Sequence, residues 1–151
     1  MCILVLRRPG CSLCRDNAKK LYALKDDFEA ASTTLVCVVH EGIKPEIEAF
    51  RNEFWPGPLY LDEDKALYRA IGEGKVRKGS ILSMLNPFGQ VWKNARKVSS
   101  DVKGNLTGDG FTLGGLIVAR KGDGRVQYAF QETTFGDAAP AREVLAAAKA
   151  I

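Results

Sequence analysis

Histidine is almost missing from this chain of 151 residues: His40 is the only one. Chemistry that needs a histidine base therefore has one candidate, and its position after an apolar strand reads as an ordinary loop residue. Cysteine is scarce too. Four cysteines in 151 residues are too few for a disulfide scaffold. Long apolar runs are also lacking. The N-terminal run, Cys2 to Leu6, has five residues and ends in Arg7-Arg8. That is too short for the hydrophobic region of a signal peptide or for a membrane span. No large excess of one charge exists either: 22 basic against 18 acidic residues leave a net +4, which does not by itself imply a nucleic-acid partner. Internal repeats and low-complexity tracts are absent. The glycine-rich stretch 108–115 lacks the G-x-G-x-x-G spacing and leads into a strand, so it is not a dinucleotide fingerprint. Its glycines are expected to let the backbone pass close to a neighbouring site.

What is present describes a globular protein. Hydrophobic residues make up 46% and charged residues 26%, and the length suits one domain over 1–151 with a sizeable core. A reducing, cytoplasmic setting is the default, in which a C-x-x-C pair is more often catalytic or metal-binding than structural.

The apolar, β-rich runs 2–6 and 34–39 predict two buried strands. Helical spacing of Leu13, Ala18, Leu21, Leu24 and Phe28 predicts a helix over 13–31, and a second is expected over about 44–54. Trp55-Pro-Gly-Pro58 breaks the chain before a short strand at 59–61 and a helix over 63–71 capped by Asp62. Strands at 113–119 and 125–131 flank the turn Lys121-Gly-Asp-Gly124, and Pro140 opens a last helix. The order β-α-β-α, β-α, then β-β-α is an α/β arrangement of thioredoxin-like type: a central mixed sheet, with two parallel strands and an antiparallel hairpin, flanked by helices. Between the halves, residues 72–110 form a basic insertion carrying seven Lys/Arg (75, 77, 78, 93, 96, 97 and 103). Apolar residues from Ile81 to Trp92 predict that it is helical and partly packed.

The chemistry centres on Cys11 and Cys14, which lie between the first strand and the first helix. A cysteine at a helix N-terminus faces unpaired N–H groups and the positive end of the dipole, which favour thiolate. Arg7, Arg8 and Arg15 add positive charge nearby and are candidates for activating the thiolate or binding substrate. The i, i+3 spacing suits a disulfide. Cys11 is expected to be the more exposed, attacking sulfur and Cys14 the resolving one. A zinc site using Cys37-Val-Val-His40 as a second pair is disfavoured, because residues i and i+3 of a strand point to opposite faces; no metal site is expected. Cys2 and Cys37 sit within apolar strands and read as small core hydrophobes.

The segment Arg7-Arg-Pro-Gly-Cys-Ser-Leu-Cys-Arg15 resembles the R-R-x-G-C-x-x-C-R signature of the peroxiredoxin-like 2 family, within the AhpC/TSA group. That family includes the prostamide/prostaglandin F synthases and the redox-regulatory protein PAMM. The resemblance continues through Leu59-Tyr-Leu-Asp-Glu63, Gly104-Asn-Leu-Thr-Gly-Asp-Gly-Phe-Thr-Leu-Gly-Gly115 and Phe135-Gly-Asp137. It implies a thioredoxin-like fold of the peroxiredoxin subtype, with Cys11 and Cys14 as the redox-active pair. The expected activity is a thiol oxidoreductase, antioxidant in type, that reduces peroxide, endoperoxide or disulfide substrates. No cofactor is expected to be bound; electrons would come from NADPH indirectly, through the thioredoxin or glutathione system. The basic insertion could hold an anionic, lipid-derived oxidant.

Three features depart from the wider pattern. Arg8 stands where peroxiredoxins proper carry a hydroxyl residue, which points to a reductase-like dithiol rather than a fast peroxide scavenger. Thr112-Leu113 replaces the thioredoxin cis-proline. The chain also begins directly at the first strand, where relatives usually have an extension, so either a pared-down version or a short reading frame is expected. The alternative function is a non-enzymatic redox sensor or regulatory binding module, in which oxidation reshapes 72–110.

Overall fold

The computed structural model describes residues 1–150. Their order is β1 (Cys2–Val5), α1 (Ser12–Tyr22), α2 (Lys25–Ala30), β2 (Leu35–Val39), α3 (Lys44–Glu53), β3 (Leu59–Leu61), α4 (Ala66–Ile71), α5 (Leu82–Leu85), α6 (Gln90–Ala95), β4 (Gly115–Ala119), β5 (Val126–Gln131) and α7 (Ala141–Lys149). The five strands make one mixed sheet in the order β3-β2-β1-β4-β5. Strands β1, β2 and β3 run parallel, while β4 pairs antiparallel with β1 and β5. The parallel block therefore has three strands, one more than the sequence pattern predicts, because Cys37–Val39 pairs with Leu59–Leu61.

Every residue of β1, β2 and β4 is buried, as befits strands covered on both faces. Side chains alternate along each strand, so one face carries Cys2, Leu4, Cys37, Val39, Leu116 and Val118. Helix α1 (Ala18, Leu21), Phe28, Phe50 and α7 (Val144, Ala148) cover that face. The other face, with Ile3, Val5, Val36, Val38 and Ile117, packs on Tyr68 and Ile71 of α4.

The long first helix predicted over 13–31 divides in two. The Leu24 N–H bonds back to the Leu21 carbonyl, three residues away. This one tightened turn redirects the chain and lets Phe28 reach full burial. The insertion 72–110 contains two short helices, α5 and α6. It is less packed than its apolar content predicts: Val91 is buried with Leu113 and Phe135, but Ile81, Leu82, Met84, Leu85, Phe88 and Trp92 are exposed. Among the described residues no helix is long and apolar enough to cross a membrane.

Candidate redox site

The site forms where β1 ends. The chain leaves the sheet through Arg7–Gly10 and enters α1 with Cys11 as the N-cap residue, in extended backbone conformation. The Cys11 carbonyl accepts the first helical bond, from the Arg15 N–H, at 2.9 Å. Cys14 then sits one turn on, beneath Cys11, and both are free thiols. The expectation that Cys11 is the more exposed of the two is met only in part. Each residue is 5% exposed, yet only Cys11 lines the cavity of about 490 Å³ that opens beside it.

The two sulfurs ionise very differently. The Cys14 thiol hydrogen-bonds to Cys11 and holds the Cys11 pKa well below the ordinary thiol value; the Arg7 charge adds to this and burial opposes it. Cys14 moves the other way. Its proton is held in the bond to Cys11, and burial and the negative Cys11 raise it further. The two shifts run in opposite directions, so Cys11 ionises more readily than Cys14.

The three arginines differ in their placing. All are buried. Arg7 Nη2 donates to Cys11 Sγ at 2.8 Å, Nη1 donates to the Gly110 carbonyl at 3.0 Å, and the guanidinium lies 5.0 Å over the Phe135 ring. Arg8 lines the same cavity and donates from Nη2 to the Asn105 carbonyl at 2.9 Å. Arg15 is turned away from the sulfurs: it donates to the carbonyls of Pro9 (2.7 Å) and Lys103 (2.9 Å) and pairs with Glu46 at 3.3 Å. The Nε–H groups of Arg7 and Arg8 are buried without a partner, a cost that sites of chemistry tend to carry.

Those arginine contacts have a common target. Residues 103–110 cross over the Cys11 loop as a strap with no sheet partner, so its carbonyls need donors from elsewhere. Arg15, Arg8 and Arg7 bond Lys103, Asn105 and Gly110 in turn. The Asn105 N–H donates to the Gly10 carbonyl at 2.7 Å. A Cβ on Gly104 would fall on the Ser12 backbone, and one on Gly114 on the Val5 carbonyl. Gly114 is one of the glycines of 108–115 expected to let the backbone pass close to a neighbouring site; Gly104 lies outside that stretch.

Sequence reasoning missed two contributors. Phe135 carries the Arg7 guanidinium and lines the cavity. Glu132, just past β5, is buried and accepts the Gly114 N–H at 3.1 Å. Burial pushes its carboxyl up to about 7, against the pull of Arg7, and the negative Cys11 raises it as well. Phe135 opens the Phe135-Gly-Asp137 block of the resemblance, which assigned it no role; no local signal marks Glu132, which reaches the site because the β4–β5 pairing sets it against Gly114. His40 follows β2 as a loop residue, as expected, and is buried there: it contacts the Arg7 carbonyl at 3.1 Å and stands edge-on to Tyr68. It touches the backbone of the dithiol loop, and Cys37 lies apart from it in the core.

Residues 20–134 match the AhpC/TSA antioxidant enzyme family. This chain belongs to that family. It is 36% identical to peroxiredoxin-like 2A of Danio rerio, over 99% of this chain and 68% of the relative. The Mus musculus protein of the same name is 37% identical over 99% and 66%, and the Homo sapiens one 36% over 99% and 62%. The chain thus spans about two thirds of the length of these curated relatives. No solved structure gives a significant match. The mixed sheet with flanking helices is the thioredoxin-like fold of this AhpC/TSA family, and membership supports a redox role.

Proposed function

We propose that this member of the family is a thiol oxidoreductase whose working pair is Cys11 and Cys14. The observation that carries the reading is the Cys11 sulfur at the wall of a cavity, with the Arg7 guanidinium donating to it and Cys14 one helical turn on. The thiolate attacks one oxygen of a hydroperoxide ROOH. The O–O bond breaks, Cys11 becomes a sulfenic acid, and RO⁻ leaves and takes up a proton as ROH. The Cys14 sulfur then attacks the Cys11 sulfur, and its proton leaves with the hydroxide as water. The sum is one ROOH and two thiols giving ROH, water and the Cys11–Cys14 disulfide. An endoperoxide reacts likewise, its two oxygens ending as two hydroxyls. Thioredoxin or glutathione, fed from NADPH, returns the pair to the dithiol.

The cavity favours a substrate larger than hydrogen peroxide. Beyond Arg7, Arg8 and Cys11 its wall is largely apolar, with Leu13, Met84, Val91, Leu106, Phe111 and Phe135. Such a wall takes a hydrocarbon substituent and excludes water from around the sulfur. Thioredoxin- or glutathione-coupled NADPH oxidation with hydrogen peroxide, cumene hydroperoxide and prostaglandin H2 tests the proposal. Cys11→Ser is expected to abolish turnover, and Cys14→Ser to trap a sulfenate or mixed disulfide on Cys11. Equal activity of Cys11→Ser and wild type on every oxidant overturns the assignment.

One observation favours sensing as a second reading. Arg7 joins the Cys11 sulfur to the Gly110 carbonyl of the strap. Oxidation removes the negative charge at one end of that link.

A further inference from the structure

The segments that supply Met84, Val91 and Leu106 to the Cys11 cavity also carry exposed apolar side chains that a freely dissolved protein has no reason to display. Leu106 is 88% exposed, Phe88 79%, Leu82 74% and Leu85 72%. With Ile81 and Trp92 they form a collar continuous with the cavity, because Met84, Leu106 and Phe111 belong to both. Exposed apolar patches of this kind mark surfaces that meet a protein or a membrane.

The charges around the collar narrow the partner. None of the seven Lys/Arg of residues 72–110 is ion-paired among the described residues. Arg96 reaches the Pro87 carbonyl at 3.4 Å, beside Phe88, and lies one helical turn from Trp92, whose indole N–H donates to the Met84 carbonyl at 2.9 Å. Lys78 bridges to Thr112 next to Phe111. Aliphatic and aromatic side chains that project from short elements, flanked by unpaired basic groups, are the composition of an interfacial anchor on anionic lipid. A second copy of the chain fits less well. In a two-fold dimer the patch would meet itself, bringing its excess of basic groups against like charges.

We propose that this collar docks on an anionic lipid surface, so that the dithiol meets its O–O substrate as an oxidised acyl chain entering from the bilayer. The substrate half rests on the oxidoreductase reading; the docking half does not. In the docked pose Leu82, Leu85 and Phe88 enter the headgroup–acyl boundary, Trp92 lies at its edge, and Arg96, Lys78 and Lys93 face lipid phosphates and carboxylates. The cavity then opens toward the membrane, with Met84, Leu106 and Phe111 forming an apolar path to Cys11.

The test uses vesicles of phosphatidylcholine alone and of phosphatidylcholine mixed with phosphatidylserine. Trp55 is fully buried and Trp92 is on the collar, so a vesicle-induced change in tryptophan emission reports on Trp92, with Trp92→Phe as control. Cosedimentation with the mixed vesicles, weakened by salt, is expected. Leu85→Ser/Phe88→Ser should abolish it, and Arg96→Glu should weaken it by roughly tenfold. Neither Leu85, Phe88 nor Arg96 lines the cavity, so turnover of hydrogen peroxide in solution should be unchanged in these variants, while turnover of a vesicle-borne phospholipid hydroperoxide falls. Hydrogen-peroxide or cumene-hydroperoxide turnover also confirms that the variants are folded.

Three results overturn docking: no partition of wild type to either vesicle, partition equal for wild type and Leu85→Ser/Phe88→Ser, or equal binding to neutral and anionic vesicles. A concentration-dependent dimer that the double variant dissolves also overturns it, in favour of a second copy. Partition without turnover of any oxidant would leave docking standing and sink the oxidoreductase reading instead.

Discussion

Arg7 is the side chain on which the site turns, because one guanidinium touches the Cys11 sulfur, the strap and an aromatic ring. Its charge is one of the forces holding Cys11 as a thiolate. Replacing it with Met is expected to raise the alkylation pKa of Cys11 by about one to two units, measured as iodoacetamide reactivity against pH. The Cys14 bond survives in that variant, so the thiol should stay below its free value. A thiolate stabilised in this way also makes the disulfide easier to reduce, so the same variant should shift the pair's potential downward in a glutathione titration. Glu132 acts in the opposite sense. Its carboxyl ordinarily titrates near 4.5 and is raised to about 7 in the folded protein. Below the lower value it is protonated in both states and changes nothing. Stability falls as pH rises between the two, and above the upper one the full penalty is felt, roughly 3 kcal/mol. Glu132→Gln keeps an acceptor for the Gly114 N–H and removes that penalty. Urea unfolding should show it more stable than wild type at pH 8 and no different at pH 4.

Among the elements, the strap at 103–110 and the N-terminus of α1 hold each other. Neither has hydrogen bonds to spare: the strap has no strand beside it, and the loop before α1 spends its donors on the strap. Arg15 is the clearest joint, tying Pro9, Lys103 and Glu46 and standing 5.2 Å over the Phe54 ring. Arg15→Met leaves the Pro9 and Lys103 carbonyls without that donor, while Glu46 keeps the Asn105 amide, and should cost about 3 kcal/mol in urea unfolding. Arg15→Lys should recover little, since an ammonium cannot span those acceptors as a planar fork does. Because Arg15 makes no contact with sulfur, the alkylation pKa of Cys11 should be unchanged in both variants. That outcome separates a residue that builds the loop from one that tunes the thiolate.

On the scale of the whole molecule, the parallel pairing of β1 and β2 sets their C-terminal ends side by side, and the antiparallel β4–β5 hairpin brings Gly114 and Glu132 to the same end. The dithiol, the strap and the collar thus share one end of the sheet. Oxidation of the pair removes the thiolate that Arg7 grips and should loosen the strap. Hydrogen exchange at residues 104–111 is expected to be faster in the disulfide form than in the dithiol form, with the sheet amides unchanged.

The strands at 2–6 and 34–39 and the position of Cys11 at a helix start were legible in the sequence because they depend on near neighbours. Continuous apolar runs bury on both faces, and a turn followed by helical spacing needs no distant partner. Family membership was legible in the same way, in contiguous motifs. The roles of Arg8, Arg15, Glu132 and Phe135 were not, since their partners lie far along the chain: Arg15 bonds Lys103 and Arg7 bonds Gly110. The exposure of Leu82, Leu85 and Phe88 was hidden for a related reason, as apolar spacing predicts burial and, among the described residues, no element covers them. The sequence by itself therefore determined the α/β class and the location of the dithiol, both local in origin. Only the tertiary structure decided which arginine meets the thiolate, which carboxyl is buried near it and which apolar surface surrounds it, because those depend on how distant segments are brought to one end of the sheet.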